Sequence, residues 1–249
     1  MQPHEPCKTY RTSHTPSEYG QRYRLTYAQG YYHYQWDQIE KPILAKLVEE
    51  QRIRGARSLL DFACGCGRIL SFCESSFETA WGVDVSESML AEARQVCQTS
   101  SLFQQDMTVI PLERTFDVVT AFRFFLNAEP TLRSEALRSI HQALNPEGVL
   151  IANVHVNSLS ILGHVYRLRN AVHGRTIANT LSFRAFESTL QANGFQIERT
   201  IWYGFLPRTG FGVDRLSKYL IRPVEKAWQA FHLPRSMAQC FICVCHKVK

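Results

Sequence analysis

The sequence predicts an α/β fold built on a doubly wound, mostly parallel sheet, and three observations support this prediction. Short apolar segments typical of buried strands alternate with helical segments of about ten to fifteen residues. A glycine turn, Gly65-Cys-Gly67, joins the first of these strands to a helix. Hydrophobic residues make up 45% of the 249 residues and charged residues 20%, which supplies enough apolar side chains for a sizeable core. Right-handed crossovers would cover both faces of the sheet with helices.

An N-terminal arm, residues 1–36, precedes this alternation, and its second half is rich in aromatic residues. Tyr19, Tyr23 and Tyr27 recur every four residues, so a helix would present them on one face. Such a face fits a lid over a ligand pocket or plain packing, and both interpretations stay open. Apolar residues at helical spacing from Asp37 to Arg52 predict the first helix of the main domain, residues 37–249.

Seven strands are predicted within the main domain, bounded by turn and cap residues. In chain order they are Ser58–Ala63, Thr79–Asp84, Leu102–Gln105, Phe116–Ala121, Val149–Val156, Phe195–Tyr203 and Gln239–His246. The helices between them begin at Arg68 and extend over Glu87–Cys97, Leu132–Ala143 and residues 182–193. Ser86 and Ser182 are favourable N-cap residues, and Gly194 ends the last of these helices. A turn at Asn145–Gly148 leads into the fifth strand.

Two segments, residues 157–181 and 204–238, fall outside the alternation and are too long for ordinary connections, which predicts cap insertions with a function. The second carries apolar residues at helical spacing, namely Val213, Leu216, Leu220, Val224, Trp228 and Phe231, with basic residues among them. Residues 212–231 would therefore cover a substrate pocket or lie on an anionic membrane surface. The cap needs fewer assumptions, and liposome flotation distinguishes the two.

Three acidic residues accompany the first three strands. Asp61 lies four residues before Gly65, Asp84 ends the second strand, and Asp106 follows the third. In the dinucleotide-binding pattern GxGxxG the third glycine would stand at Leu70, so that pattern is incomplete. A bulky side chain there suits a ligand without a pyrophosphate. An acid before the glycines suits a cationic amino-acid moiety, which a dinucleotide lacks.

Five segments in order, LLDFACGCGR, GVDVSESML, FQQDM, FDVVTAFRFFLN and LNPEGVLIANVH, resemble the class I (Rossmann-like) S-adenosylmethionine-dependent methyltransferase family. The resemblance runs from Ser58 to Val156, with Cys66 where the family more often has a small hydroxyl residue. It implies a seven-stranded sheet whose last strand, Gln239–His246, is antiparallel. It also implies S-adenosylmethionine as cofactor and methyl transfer by in-line displacement to a small-molecule acceptor.

The resemblance further implies the residues that bind the cofactor. The predicted set is Asp61, Ala63, Gly65, Gly67, Asp84, Val85, Met89, Asp106 and Met107. Its first four members would line the methionine end, and Asp84 would bind the ribose hydroxyls. Asp106 would meet the adenine amino group, and Met107 would pack against the adenine ring.

The acceptor should lie at the carboxyl ends of the strands, where ligands of doubly wound sheets bind. The predicted acceptor residues are Tyr23, Tyr27, Phe122, Arg123, Asn127 and His155, and Asn157 is a further candidate. Arg123 and His155 are the candidate catalytic residues. Arg123 would hold a carboxylate or phosphate of an anionic acceptor, or form an internal ion pair. His155 would act as a general base, or as a hydrogen-bonded structural residue.

The eight cysteines invite a metal interpretation, most clearly at Cys240, Cys243, Cys245 and His246. Strand alternation, however, places Cys243 and Cys245 on one face and Cys240 and His246 on the other. This arrangement suits one tetrahedral ion poorly, so we expect reduced core thiols and no metal.

The formal net charge of +6 permits nucleic acid or anionic partners and selects none of them. The segment Ala121–Phe125 lacks the Asn/Asp-Pro-Pro-aromatic run of the family's exocyclic-amine enzymes, which argues against nucleic acid. An RNA methyltransferase and a non-catalytic adenosylmethionine-binding protein remain the alternatives. A polar N-terminus and the lack of an apolar run of about 18 residues predict a cytoplasmic protein.

Overall fold

A computed structural model describes residues 10–13, 18–173, 180–208 and 213–248. Parts of the predicted arm and of both predicted insertions lie outside the described residues. The described strands are β1 Ser58–Phe62, β2 Thr79–Asp84, β3 Ser101–Gln104, β4 Phe116–Ala121, β5 Leu144–Val154, β6 Phe195–Tyr203 and β7 Cys240–Lys247.

The strands form one seven-stranded sheet in the order β3-β2-β1-β4-β5-β7-β6. The first five strands are parallel, and Asp61 in the central β1 lies opposite Gly82 of β2 and Thr120 of β4. β7 runs antiparallel between β5 and β6, with Val244 opposite Ile151. The predicted doubly wound sheet with an antiparallel last strand is confirmed. Because the parallel strands share one direction, their carboxyl ends meet at one edge.

Helices cover both faces of this sheet. They are α1 Tyr10–Ser13, α2 Tyr19–Tyr27, α3 Gly30–Gln35, α4 Lys41–Ile53, α5 Arg68–Cys73, α6 Glu87–Val96, α7 Pro130–Ala143, α8 Ile161–His173, α9 Phe183–Ala192 and α10 Val213–Ala230. A π-helical segment, Trp36–Glu40, joins α3 to α4. Helical structure therefore continues across the boundary predicted at residue 36. A π-helical turn of this kind often marks a functional position.

Of the two predicted N-cap residues, Ser182 makes a capping hydrogen bond and Ser86 does not. Ser182 caps α9, since its hydroxyl accepts a hydrogen bond from the Ala185 amide at 3.2 Å. Gly194 follows α9 with a φ of +79°. Ser86 occupies the N-cap position of α6, but its side chain makes no capping hydrogen bond. Instead, the Ser86 amide donates to Asp84 Oδ1 at 2.9 Å, which fixes the carboxylate at the end of β2.

The fifth strand begins earlier than predicted. Leu144 already pairs with Phe116, and regular pairing resumes where Val149 lies opposite His246 and Val118. The predicted turn Asn145–Gly148 therefore lies inside β5, at a shift in register. Turn-forming residues are compatible with such a bulge, because it inserts extra residues into one strand only.

The apolar core lies on both faces of the sheet. Cys243 and Cys245 belong to the cluster packed under α7 and α9, and Cys240 belongs to the opposite cluster around α4. The predicted alternation along β7 is thus confirmed. The described cysteines are free thiols. Among the described residues no three His, Cys, Asp or Glu side chains lie close enough together to hold a metal ion.

The long helix α10 leaves part of its apolar row exposed. Ser217, Ile221 and Glu225 are buried, whereas Leu216 and Leu220 are exposed. No helix within the described ranges is long and apolar enough to span a membrane.

Candidate active site

The carboxyl edge of the sheet borders a cavity of about 790 Å³. Every predicted cofactor residue except Gly67, and every predicted acceptor residue, lines this cavity. The arm supplies the opposite wall with Tyr10, Arg11, Tyr19, Tyr23, Arg24 and Tyr27. No described residue of the two predicted cap insertions lines it.

The turn after β1 has a left-handed backbone at three positions. The φ angles are +53° at Ala63, +56° at Gly65 and +74° at Gly67. Glycine adopts this conformation without strain, whereas alanine does not. Gly67 does not line the cavity; a side chain there would place Cβ 2.8 Å from Cys97 Sγ. This glycine allows the turn to pack against α6, and its predicted place at the methionine end stays a prediction.

Asp84 is held at the end of β2 by backbone amides. Its Oδ2 accepts a hydrogen bond from the Gly65 amide and its Oδ1 one from the Ser86 amide, both at 2.9 Å. Each carboxylate oxygen has a second lone pair, and the residue lines the cavity. The carboxylate is thus fixed in position at the cavity wall.

Asp61 is a buried acid, and one of its two carboxylate oxygens lacks a hydrogen-bond partner among the described residues. Its Oδ1 accepts a hydrogen bond from the Thr120 hydroxyl at 2.7 Å. Its Oδ2 is buried and has no hydrogen bond to any described residue. Burial raises the pKa of Asp61 to about 7, against the opposing effects of Thr120 and Arg68. A cationic group in the cavity would satisfy this oxygen.

The adenine end predicted at Asp106 and Met107 is contacted by the arm. Arg11 Nε donates to Asp106 Oδ2 at 2.7 Å, and the Thr108 hydroxyl donates to Oδ1 at 2.5 Å. Burial raises the pKa of Asp106, but Thr108 and Arg11 together hold it below its ordinary value. Met107 is buried. The Tyr10 ring packs edge-on against Phe124, with centroids 5.3 Å apart.

A buried ion cluster forms the other side of the cavity around Glu40, at the end of the π-helical segment. Glu40 accepts hydrogen bonds from Arg123 and Arg68, each at 3.3 Å, and from the Tyr203 hydroxyl at 3.0 Å. Burial raises the pKa of Glu40, but the two arginines and the hydroxyl hold it below its ordinary value. We call Glu40, Arg68 and Arg123 the arginine cluster.

Arg123 therefore forms the internal ion pair that was one of its two sequence interpretations. It has a φ of +61°, and its amide donates to Asn153 Oδ1 at 2.6 Å. Its guanidinium lies 4.8 Å from the ring centroid of Tyr27, a cation–π contact. Its Nε is buried without a hydrogen-bond partner among the described residues. One carboxylate thus faces two arginines, which leaves an excess positive charge at the cavity wall.

His155 follows β5 and lines the cavity. Burial and the positive charges of Arg123 and Arg68 hold its pKa well below the ordinary histidine value, so the imidazole is neutral at pH 7. Its Nδ1 is buried without a partner in the described part of the chain. Asn127 also lines the cavity and donates to the Arg123 carbonyl at 3.0 Å. Asn157 does not line it, because its amide binds the loop after α10.

The tyrosines of the arm contact one another while lining the cavity. The ring centroids of Tyr23 and Tyr27 lie 4.5 Å apart, and those of Tyr19 and Tyr23 lie 6.1 Å apart. The arm is fixed to α6 by an ion pair between Arg24 and Glu92 at 2.5 Å. It also packs closely there, since a Cβ at Gly20 would lie 2.0 Å from the Ser88 carbonyl oxygen.

The residues of the site that escaped sequence reasoning include Arg11, Glu40 and Arg68. A signal for Glu40 exists, because it precedes α4 at helical spacing from Leu44, Leu47 and Gln51, which form the buried face of that helix. An acid on an apolar helical face needs a cationic partner. Nothing local marks Arg11, whose partners Asp106 and Glu135 lie 95 and 124 residues away.

The residues present fit a cofactor with an ammonium group and a ribose. The unsatisfied oxygen of Asp61 suits the ammonium group, and the fixed carboxylate of Asp84 suits vicinal hydroxyls. At Gly65 a side chain would enter the cavity beside Met89, with Cβ 3.2 Å from its methyl carbon. The neutral, partly apolar wall near Phe62 and Met107 suits a purine ring.

Comparison with known proteins places residues 59–148 in a family model described as a methyltransferase domain. A Bacillus subtilis protein, named as a methyltransferase without a stated acceptor, is 38% identical over 130 residues, 49% of this chain and 50% of its own length. An N,N-dimethyltransferase acting on a dTDP-amino sugar in Streptomyces venezuelae is 34% identical over 43% of this chain and 46% of its own.

Among solved structures, magnesium protoporphyrin IX methyltransferase from Synechocystis matches 91% of this chain and 93% of its own. The TM-score is 0.61 at 15% sequence identity, which is a likeness of fold. The chain spans about half the length of the curated relatives it matches.

Proposed function

The chain belongs to the class I, Rossmann-like S-adenosylmethionine-dependent methyltransferase family, and on that premise we propose that it methylates an anionic small-molecule acceptor. The observation that carries the proposal is that one cavity is lined by two sets of charged residues. Three acids at the ends of adjacent strands form the set that we call the acidic wall, and Arg68 and Arg123 of the arginine cluster form the set that we call the basic wall.

The acidic wall would hold the cofactor. Asp61 would pair with its ammonium group, Asp84 would accept hydrogen bonds from its ribose hydroxyls, and Met107 would pack against its adenine ring. Asp106 would meet the adenine amino group through its remaining acceptor capacity. When bound, S-adenosylmethionine supplies a methyl group on a sulfonium, which is already activated for in-line displacement. The protein then has mainly to align the nucleophile, a contribution of roughly 7–11 kcal/mol.

The basic wall would hold the acceptor. Arg68 and Arg123 share a single carboxylate, and the buried Nε of Arg123 lacks a partner in the described residues. A carboxylate or phosphate on the acceptor would balance this charge. Tyr23, Tyr27 and Phe122 would contact an apolar or aromatic part of the acceptor. Dimethylation of a nucleotide sugar by a relative agrees with a small anionic acceptor.

His155 would serve as the general base when the acceptor atom carries a proton. Its imidazole is neutral and its Nδ1 is free of hydrogen bonds to the described residues, so it can accept that proton. The same arginines that lower its pKa also make it a weak base. They would in turn lower the pKa of an acceptor hydroxyl, which reduces the basicity required.

The arm would act as a lid. It contributes one wall of the cavity, and Arg11 bridges Asp106 and Glu135 across the rim. A lid that closes over a bound cofactor excludes water from the reacting atoms.

Calorimetry and a methyl-transfer screen test this function. We expect S-adenosylhomocysteine to bind, the D84A variant to bind at least about tenfold more weakly, and dinucleotides not to bind. With tritiated S-adenosylmethionine and metabolite extracts, we expect label in a fraction that anion-exchange resin retains. Dinucleotide binding without adenosylhomocysteine binding would overturn the cofactor assignment. Label only in unretained fractions would overturn the anionic acceptor, and binding without label in any fraction would indicate a non-catalytic protein.

Two variants separate the acceptor roles. R123M should raise KM for the acceptor strongly, and H155N should lower kcat by about 10²–10⁴-fold if the base is required. Both should bind adenosylhomocysteine as the wild type does. Loss of cofactor binding in either variant would assign that residue to structure instead.

A further inference from the structure

The outer face of α8 carries an apolar stripe that the described residues leave exposed. Ile161, Val165, Leu168 and Val172 are spaced by four, three and four residues, so they form one continuous row. Their exposed fractions are 44%, 53%, 69% and 73%. The exposed side chains beside the row include Arg167 and Arg169, and no described side chain of α8 is acidic.

The outer face of α10 has the same character. Leu216, Tyr219 and Leu220 are exposed by 55%, 66% and 39%, and Phe231 just beyond the helix by 75%. Three basic side chains are exposed on the same helix: Lys218, Arg222 and Lys226. The acid described within it, Glu225, is buried, and the Gly204 amide donates to it at 3.1 Å.

These two helices both follow strands that end at the edge that borders the cavity. α8 follows β5 and α10 follows β6, and these two strands run in the same direction. The Asn157 amide, just before α8, donates to the carbonyls of Ser236 and Ala238 after α10, at 2.6 and 3.1 Å. A second cavity of about 310 Å³ shares Tyr19, Tyr23 and Tyr27 with the main one and is bordered by Arg208.

We propose that the outer faces of α8 and α10 together dock on an anionic lipid bilayer. Exposed apolar rows would enter the boundary between headgroups and acyl chains, and the flanking arginines and lysines would meet anionic headgroups. A symmetric contact between two copies would set these basic residues against each other, which disfavours a second copy as occupant. Docking here would present the carboxyl edge, with its tyrosine-lined cavity, to lipophilic acceptors at the membrane. This proposal does not depend on the chemistry of the methyl transfer.

Flotation of the full chain with vesicles tests the proposal. The probes are vesicles of phosphatidylcholine alone and of equal parts phosphatidylcholine and phosphatidylglycerol. We expect flotation with the anionic vesicles, loss of flotation in high salt, and little flotation with the neutral ones.

Paired variants locate the surface. L168E and K218E/R222E should each lower the fraction bound by about tenfold or more, because both changes oppose insertion or headgroup contact. The matched controls I53E and R138E, at exposed positions on α4 and α7, should bind as the wild type does. Adenosylhomocysteine binding in each variant verifies folding and separates this test from that of the enzymatic function. Absence of flotation, equal loss in the controls, or dimerisation in solution that L168E abolishes would overturn the proposal.

Discussion

At the scale of single residues, the charge of Asp61 depends on what occupies the cavity beside it. Burial raises its pKa to about 7, so at neutral pH the carboxyl is only partly ionised. An ammonium group placed next to it would stabilise the ionised form and lower that pKa. Binding of the cofactor's amino-acid moiety would therefore release a proton from this site.

This coupling predicts that adenosylhomocysteine binds more tightly as the pH rises from about 6 to about 8. The buffer takes up the fraction of a proton that is released on binding. Phosphate and Tris differ in their enthalpy of ionisation, so the binding enthalpy at pH 7 should differ between these two buffers. Adenosine, which lacks the ammonium group, is the matched control and should show no such difference. D61N should lose the proton release and bind more weakly; a buffer-independent enthalpy for the wild type would contradict the coupling.

The same pKa shift affects stability with a definite sign. The folded-state pKa of Asp61 lies above its unfolded value of about 3.9, so the native state binds more protons between these values. The contribution of this group to stability is present at low pH and is lost as the pH rises toward about 7. D61N should therefore gain more stability relative to the wild type at pH 8 than at pH 5 in urea denaturation.

The backbone at Ala63 is strained, whereas the glycines at positions 65 and 67 adopt a similar φ without strain. Its φ of +53° is strained for a residue with a Cβ, by roughly 1–2 kcal/mol. A63G removes this strain but increases the entropy of the unfolded chain, which costs about 0.4–1 kcal/mol. We expect a net gain of about 0.5–1 kcal/mol by urea denaturation. The control A45G, in the exposed middle of α4, should lose about 1 kcal/mol, and a loss at both positions would refute the assignment of strain.

At the scale of elements, the arm helix α2 depends on one close backbone contact. Gly20 is buried against the start of α6, where a Cβ would lie 2.0 Å from the Ser88 carbonyl oxygen. Backbone cannot yield as a flexible side chain does, so any substitution has to move the helix. The tyrosines on α2 would then shift relative to the cavity.

G20A should therefore weaken adenosylhomocysteine binding by about tenfold, equivalent to about 1.4 kcal/mol, while global stability changes little. Calorimetry measures the first effect and thermal denaturation the second. Q21A, at an exposed position of the same helix, should bind normally. Unchanged affinity in G20A would show that the position of the arm does not affect the cofactor.

At the scale of the whole molecule, Glu40 links segments that are distant in sequence. It contacts α5 through Arg68, the end of β4 through Arg123, and the end of β6 through Tyr203. Because the carboxylate is fully buried, removing its charge leaves two arginines uncompensated at the cavity.

E40Q should destabilise the protein by about 3–5 kcal/mol in urea denaturation. E49Q removes an exposed carboxylate paired with Arg52 and should change stability by less than about 0.5 kcal/mol. The lowered pKa of Glu40 means that its contribution is complete above about pH 4.5 and is lost as the pH falls through the folded-state pKa. A similar effect of both substitutions would contradict the role of the cluster.

Much of the fold follows from local sequence, as β2 and β6 illustrate. Thr79–Asp84 and Phe195–Tyr203 were predicted to the residue, because strand bounds follow apolar segments and flanking turn residues. β5 was predicted to start five residues late, since turn residues at a bulge look like turn residues in a loop. The sequence did not predict which face of α10 is buried, because the spacing of apolar residues does not show which side of the helix packs against the protein.

By itself, the sequence determined the parallel sheet, the glycine turn and the acids that follow its first strands, because local periodicity, turn residues and the order of elements along the chain signal each of them. Only the tertiary structure decided that Glu40 neutralises Arg123, that Arg11 reaches Asp106, and that Gly67 packs against α6. Each of these depends on two segments meeting in space. Complementary charge and shape between segments far apart in the chain produce no local sequence pattern from which the contact could be predicted.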